Sequence, residues 1–306
     1  MRFFEKLQRL HMPRRKRTTT NLQQETVTPL PTIDTDGDRP NSRIIAVANN
    51  KGGVGKTTTA MNLAGALVLK ERRVLVIDLD PQCNASIAFN VIIDKHTGKG
   101  IRPLLTQEQV MVKDCVYPRG QWCDFMPADP DLYEIHTDLA IDPRGRFRLR
   151  DHLQQVLSSY DYILIDTPPD ISTFTQSALV AAKEIIIPVD ISVLAVAGLA
   201  RIVRIINDIR AHYNPDLKIL GVLGTKYDAR TTLSEDTISE IQRHNLPMFK
   251  TKIRISVDII RAQAARRPVG IFSPASHGAI DYNALADELL PAKVISLTRH
   301  RRATAS

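Results

Sequence analysis

Cysteines and long apolar runs are scarce in this sequence. The chain has three cysteines in 306 residues, Cys83, Cys115 and Cys123, at spacings that match no metal-binding pattern. We therefore expect reduced, buried thiols rather than disulfides or a metal cluster. No apolar run is long enough to span a membrane, and the basic residues 1–6 lack the apolar core of a signal peptide. These absences lead us to expect a cytoplasmic protein.

The sequence carries an excess of positive charge. It has 41 Lys and Arg residues against 33 Asp and Glu residues, which gives a formal net charge of +8. A charge of this sign indicates an acidic partner, either nucleic acid or an anionic membrane surface. Charge alone does not choose between the two.

A phosphate-binding loop is the strongest motif in the chain. The apolar residues 43–49 predict a strand, and Thr59–Leu69 predict a helix packed on a sheet. Glycines between them let backbone N–H groups converge on phosphate oxygens, and the helix N-terminus adds partial positive charge. Lys56 supplies a cation for the β- and γ-phosphates, and the Thr57 hydroxyl is placed to bind Mg²⁺. The predicted nucleotide-binding residues of the loop are Lys51, Gly52, Gly53, Val54, Gly55, Lys56, Thr57 and Thr58.

The loop departs from the general P-loop pattern at its start. That pattern has glycine at position 50, where this chain has Asn50, followed by a second lysine, Lys51. The loop is a deviant Walker A motif, and it resembles that of the ParA/MinD family of P-loop ATPases in the SIMIBI class. The resemblance implies ATP and Mg²⁺ as cofactors. It also implies that Lys51 reaches the phosphates bound by a second subunit, so that the ATP state is a homodimer.

Two further strands are predicted to end in carboxylates. Residues 73–78 and 160–166 are apolar runs typical of strands buried in a parallel sheet, whose carboxyl ends carry the ligands in α/β folds. By resemblance to ParA proteins, Asp80 orients or activates the attacking water, so Lys51, Lys56 and Asp80 are the predicted catalytic residues. Asp166 matches the Walker B carboxylate, which holds Mg²⁺ through water together with Thr57.

A third segment completes the predicted nucleotide site. Residues 225–231 follow another predicted strand and resemble the family's segment near the nucleotide base. The resemblance makes Thr225 and Tyr227 nucleotide-binding residues.

Strand and helix patterns alternate through the rest of the chain. Strands are predicted at 184–189 and 217–224, and helices at 196–212, 234–244 and 278–290. Such alternation predicts an α/β fold with a doubly wound, mostly parallel sheet and helices on both faces, the P-loop NTPase fold.

Composition divides the chain into three parts. Residues 1–42 combine a basic stretch, Arg14–Arg17, with a polar run that lacks an apolar period, and we expect a flexible arm. The arm either tracks nucleic-acid phosphates or is a solvated tail. The ParA-like ATPase domain is expected at 43–291, and 292–306 form a basic C-terminal tail.

Positive charge concentrates in the last quarter of the predicted domain. No aromatic residues interleave with it, so the patch suits sequence-independent phosphate contact rather than base stacking. Ordinary solvated helix faces are the alternative explanation. The predicted DNA-binding residues are Lys250, Lys252, Arg254, Arg261, Arg266 and Arg267.

The resemblance implies a DNA-partitioning ATPase of the ParA/Soj type. Such a protein dimerises on ATP, binds DNA nonspecifically on the nucleoid and is released by hydrolysis, which is slow until a ParB-like centromere-binding adaptor stimulates it. The alternatives are a MinD-like ATPase acting on a membrane surface and a ParA-like protein that positions another cargo. A membrane role needs an amphipathic anchor, and residues 291–302 have too few apolar residues and no aromatic residue to form one.

Overall fold

A single six-stranded sheet forms the centre of the molecule. The computed structural model describes residues 42–91, 99–118, 123–191 and 195–290. All strand pairs are parallel, and the strand order is β3-β2-β4-β1-β5-β6. The strands are β1 (Arg43–Val47), β2 (Val74–Asp78), β3 (Asp124–Met126), β4 (Tyr162–Asp166), β5 (Glu184–Asp190) and β6 (Lys218–Thr225).

Helices connect successive strands and follow the last one. In chain order they are α1 (Lys56–Val68), α2 (Asn84–Ala88), α3 (Arg102–Thr106), α4 (Val112–Cys115), α5 (Leu132–Ile141), α6 (Arg148–Leu153), α7 (Thr173–Ala181), α8 (Ala195–His212), α9 (Thr232–Arg243), α10 (Val257–Ala264), α11 (Val269–Phe272) and α12 (His277–Leu289). None of them, within the described residues, is long and apolar enough to cross a membrane.

The sheet separates two hydrophobic cores. Alternate strand residues point to opposite faces, so that Ile44 belongs to one core and Ile45 to the other. Helices α3 to α9 cover the first face, and α1, α2 and α10 to α12 cover the second. Strands β2 and β4 are buried along their whole length, as the continuous apolar runs predict. The doubly wound parallel fold is confirmed.

The carboxyl ends of the strands meet at one edge of the sheet. Asp166 at the end of β4 pairs in register with Asp78 on one side and with Val47 on the other. Asp190 and Thr225 are paired at the ends of β5 and β6. The loops after all these strands therefore share one edge, which is where parallel α/β sheets bind ligands.

Most predicted element bounds agree with the structure to within two residues. The strands predicted at 184–189 and 217–224 are Glu184–Asp190 and Lys218–Thr225, and the closing helix is His277–Leu289. The predicted arm, apart from Ser42, and the predicted tail at 292–306 lie outside the described residues.

Candidate functional site

The loop between β1 and α1 has the backbone conformation that its glycines predict. Gly53 and Gly55 have φ angles of 73° and 89°, in the left-handed region that side-chain-bearing residues avoid. Gly55 is the residue before α1, so Lys56 is the first residue of the helix, and Thr57 and Thr58 lie in its first turn. The first N–H groups of this helix have no helical acceptor and are available to an anion.

Side-chain hydrogen bonds connect the loop to the neighbouring strands β5 and β6. The Asn49 side chain donates to the Pro188 carbonyl at 2.7 Å and accepts from the Lys51 N–H at 3.1 Å. The Thr225 hydroxyl lies 2.9 Å from the Val54 carbonyl oxygen, at the far end of the loop. Thr225 therefore supports the loop.

Lys56 lies inside the loop rather than in solvent. Its side chain is 7% exposed, and its ammonium group donates to the Lys51 carbonyl oxygen at 3.0 Å. Burial lowers the pKa of Lys56, while the carboxylates of Asp166 and Asp80 oppose that change. A phosphate oxygen would supply the same stabilisation of the ammonium group from within the loop.

Asp166 has an unsatisfied carboxylate at the centre of the site. The residue is fully buried, and neither carboxylate oxygen accepts a hydrogen bond at good geometry from any described residue. Burial raises the pKa of Asp166 well above its ordinary value, Asp78 raises it further, and the nearby Thr57 and Lys56 lower it. Unpaired carboxylate oxygens beside a hydroxyl are the oxygen ligands that Mg²⁺ prefers. The residues present therefore fit a Mg²⁺ ion held by Thr57 and Asp166.

Asp80 lies on the loop after β2, two residues beyond Asp78. It is 5% exposed, and one carboxylate oxygen, Oδ1, accepts the Gln82 N–H at 2.9 Å. The structure gives Oδ2 no hydrogen bond within the described residues. Burial raises the pKa of Asp80, and the Gln82 hydrogen bond and Lys56 oppose the rise. One oxygen thus fixes the side chain, and the other remains available to a ligand or a water molecule.

A cavity of about 490 Å³ opens from the loop. Its floor contains Asp80 and all the loop residues predicted from sequence except Lys51 and Val54. Its far wall is the segment 253–263 with Tyr282, and Asn84 and Pro169 also line it. Our sequence reasoning missed this wall because tertiary packing brings it to the loop. Asn84 could have been predicted as a lining residue, because it lies only four residues after the predicted site residue Asp80.

The two residues predicted near the base differ in their placement. Thr225 lines the cavity, as does its neighbour Lys226. Tyr227 is not among the lining residues. Its hydroxyl donates to Glu235 at 2.8 Å, and its backbone N–H donates to Ile253. The geometry therefore gives Tyr227 a part in attaching the cavity wall to the end of β6.

Arg254, one of the residues predicted to bind DNA, is occupied within the protein. Its guanidinium forms two-pronged hydrogen bonds to Asp281, at 2.6 Å from Nη2 and 3.0 Å from Nε to Oδ1. The Arg254 N–H also donates to Asp281, whose side chain is 8% exposed. Arg254 also lines the cavity next to the loop.

The other predicted DNA-binding residues lie on the face covered by α10 to α12. Lys252 lies 3.6 Å from Glu235 and over the Tyr227 ring. The side chain of Arg261 is 69% exposed, with Asp258 at 3.9 Å. The exposed residues of this group are Lys250, Arg261, Arg266 and Arg267.

Comparison with known proteins identifies relatives over most of the chain. A sequence profile for the family AAA_31, described as an AAA domain, matches residues 42–219. The chain is 34% identical over 250 residues to the chromosome partitioning protein ParA of Myxococcus xanthus, which covers 81% of this chain and 88% of the relative. It is 37% identical over 254 residues to the chromosome-partitioning ATPase Soj of Thermus thermophilus, which covers 82% and 97%.

Solved structures share the fold. Cobyrinic acid a,c-diamide synthase from Mycobacterium smegmatis, solved with bound ADP and magnesium, superposes with a TM-score of 0.71 at 32% identity, over 81% of this chain and 94% of that one.

Proposed function

The chain belongs to the ParA/Soj family of P-loop ATPases, and we propose that it hydrolyses ATP to partition DNA. The ParA and Soj relatives align with this chain over 88% and 97% of their own length, and both are named as chromosome-partitioning proteins. The cargo is a plasmid or chromosome.

The convergence of three charged groups carries the proposal: Lys56 and Asp80 line one cavity, and the carboxylates of Asp166 and Asp80 both act on the Lys56 ammonium group. Lys56 lies in the loop that would hold the phosphates, and Asp166 has unpaired oxygens for a cation. Bound Mg²⁺ would neutralise charge on the phosphates of ATP. Thr57 and Asp166 would hold that ion, Asp166 through water, and the first turn of α1 would bind the phosphates.

Asp80 would handle the attacking water. Its carboxylate is fixed at Oδ1 by the Gln82 N–H, which leaves Oδ2 to accept a hydrogen bond from water. Phosphoryl transfer needs mainly positioning and charge stabilisation, and a fixed carboxylate supplies the first. Because no arginine finger is identified in the sequence, we propose that ATP turnover is slow and that a partner accelerates it.

The far wall of the cavity would receive the nucleotide base. Ile253, Ile259 and Ile260 give it apolar surface, and the Arg254–Asp281 pair fixes its position. Flat purine rings bind well against aliphatic surface of this kind. Adenine would therefore lie between the end of β6 and α10.

ATP would also join two copies of the chain. The Lys51 side chain makes no hydrogen bond or ion pair within the described residues, and it does not line the cavity of its own subunit. It is free to contact phosphates in a second subunit, whose negative charge would offset the repulsion between approaching lysines. Hydrolysis would remove that charge and release the dimer.

The dimer would bind DNA through its exposed arginines. Arg261, Arg266 and Arg267 are all exposed, and dimerisation would double their number. Contacts of this kind are to phosphates, so binding would be independent of sequence and would weaken steeply with salt. A ParB-like adaptor bound at a centromere would then stimulate hydrolysis, and the protein would associate with the nucleoid.

Replacing Asp80 by alanine tests this function. We expect Asp80→Ala to bind ATP as the unchanged protein does, to lose hydrolysis, and to accumulate as a dimer when ATP and Mg²⁺ are added. Size-exclusion chromatography with light scattering and a phosphate-release assay measure the two effects. Asp138→Ala, which removes an exposed carboxylate from α5, is the control. Hydrolysis at the unchanged rate in Asp80→Ala would contradict the role given to this residue.

A further inference from the structure

We propose that Asp78 and Ser86 are positioning residues for ATP hydrolysis, which act by fixing the segment 79–86 that carries Asp80. The inference rests on the proposed ATPase function and extends it to two residues that do not line the cavity. Asp78 ends β2, and Ser86 lies within α2.

Asp78 accepts hydrogen bonds from both ends of this segment. Its Oδ1 accepts the Asp80 N–H at 3.0 Å. Its Oδ2 accepts the Ser86 N–H at 2.9 Å and the Ser86 hydroxyl at 2.7 Å. Asp78 is fully buried and Ser86 is 2% exposed, so water does not compete for these bonds. The carboxylate therefore closes the segment into a ring.

Ser86 connects that ring to the neighbouring edge strand. Because its hydroxyl donates to Asp78, its oxygen is free to accept, and it accepts the Ala128 N–H at 3.0 Å. Ala128 follows β3, which pairs with β2. The segment is thus attached both to the end of its own strand and to the chain leaving the next one.

The segment needs such support because its backbone is strained. Cys83, the residue before α2, has a φ of 56° in the left-handed region, which costs free energy in a residue other than glycine. Such a conformation persists only where surrounding contacts enforce it. Asp80 lies before this bend and Asn84 lies directly after it, and both residues line the cavity. Their positions therefore depend on the hydrogen bonds to Asp78.

Loss of the Ser86 hydroxyl should affect turnover more than binding. ATP contacts the loop before α1, which Ser86 does not touch, whereas the water must meet Asp80 in one geometry. Displacing a catalytic group by a fraction of an ångström to one ångström costs about 10- to 100-fold in rate. We expect Ser86→Ala to lower kcat about tenfold or more and to change ATP affinity by less than about twofold.

Matched variants separate positioning from general damage to the core. Ser177→Ala removes a hydroxyl that is also fully buried, but one that has no hydrogen-bond partner in the described structure. We expect it to keep the kcat of the unchanged protein. Ser86→Thr retains a hydroxyl and should restore much of the rate, and Asp78→Asn, which loses one acceptor oxygen, should resemble Ser86→Ala.

The experiment is single-turnover hydrolysis of ATP by the full chain with Mg²⁺, normalised to the fraction of protein that binds a fluorescent ATP analogue. A lowered rate per bound nucleotide in Ser86→Ala and Asp78→Asn, with Ser177→Ala unchanged, supports the inference. Hydrolysis by the unchanged protein and by Ser86→Ala at equal rates would overturn it and leave the ATPase function standing. Absence of hydrolysis in the unchanged protein would overturn the proposed function and this inference with it.

Discussion

Asp78 and Asp166 are paired in register at the ends of two adjacent parallel strands, β2 and β4, and both are fully buried. Three hydrogen bonds satisfy Asp78, whereas Asp166 has none from the described residues. Burial raises the pKa of Asp78 to about 6 and the pKa of Asp166 well above its ordinary value. The strand end therefore stores electrostatic strain that a bound cation would relieve.

Replacing Asp166 by asparagine should stabilise the protein without nucleotide in a pH-dependent way. A raised pKa means that ionisation of Asp166 costs more in the folded than in the unfolded state. At low pH the carboxyl is protonated in both states and costs nothing extra, and the cost grows as pH rises above the ordinary value. The gain in melting temperature of Asp166→Asn should therefore be larger at pH 8 than at pH 4.

The same variant should bind Mg²⁺ poorly. We expect Mg²⁺-dependent nucleotide affinity to fall about 10- to 100-fold, as for loss of other groups that hold a metal through water. Thermal unfolding with and without Mg²⁺ and ATP measures both effects. A variant that is less stable than the unchanged protein at pH 8 would contradict the account of Asp166.

Replacing Lys56 by alanine should abolish ATP binding. The Lys56 ammonium group is held inside the loop at the position where phosphates would lie, so no other lysine can replace it. Lys70→Ala is the matched control, because Lys70 lies just beyond the other end of α1 and pairs with Asp287 on the surface. Isothermal titration calorimetry measures the affinity. Equal ATP affinity in Lys56→Ala and Lys70→Ala would exclude the loop as the binding site.

Arg254 and Arg261 should differ in their effects. Arg254→Ala removes the guanidinium from the mostly buried Asp281 and leaves it only the backbone N–H of residue 254, and we expect a loss of about 1–3 kcal/mol of unfolding free energy together with weaker nucleotide binding. Arg261→Ala should change stability by less than about 0.5 kcal/mol and weaken DNA binding instead. Chemical denaturation and DNA binding in ATP measure the two. If Arg254→Ala keeps its stability and loses only DNA binding, Arg254 contacts DNA directly.

Alanine should be tolerated at one helical glycine and not at another. A Cβ at Gly65 in α1 would lie 2.3 Å from the Pro268 Cβ, and we expect Gly65→Ala to cost about 1–3 kcal/mol of stability. Among the described residues, a Cβ at Gly198 in α8 would meet nothing closer than the Asn50 Oδ1, at 3.8 Å. Gly198→Ala should therefore gain about 0.5–1 kcal/mol from its helix propensity. Equal melting temperatures for the two variants would refute the close packing of α1 on Pro268.

The sheet and the phosphate site could be predicted because each rests on local sequence. Strand β4 is a run of apolar residues that ends in Asp166, and a buried strand needs that pattern wherever it occurs. Gly53 and Gly55 are glycines because the loop needs left-handed backbone there. These features are visible without knowing what packs against them.

The far wall of the site depends instead on contacts between distant residues. Arg254 was predicted to bind DNA as part of a cluster of positive charge, and its partner Asp281 is 27 positions away. Asp78 was visible as a strand-end carboxylate, but its hydrogen bonds to Ser86 depend on the bend at Cys83. Charge and spacing do not show which residue a side chain will pair with.

Binding of the full chain to random-sequence duplex DNA, with ATP and Mg²⁺, with ADP, or without nucleotide, tests the central claim most directly. The account predicts binding that depends on ATP, falls steeply across a salt series, and survives in Asp80→Ala. Absence of DNA binding in every nucleotide state, together with ATP-dependent recruitment to anionic liposomes, would contradict it and favour a membrane-surface ATPase.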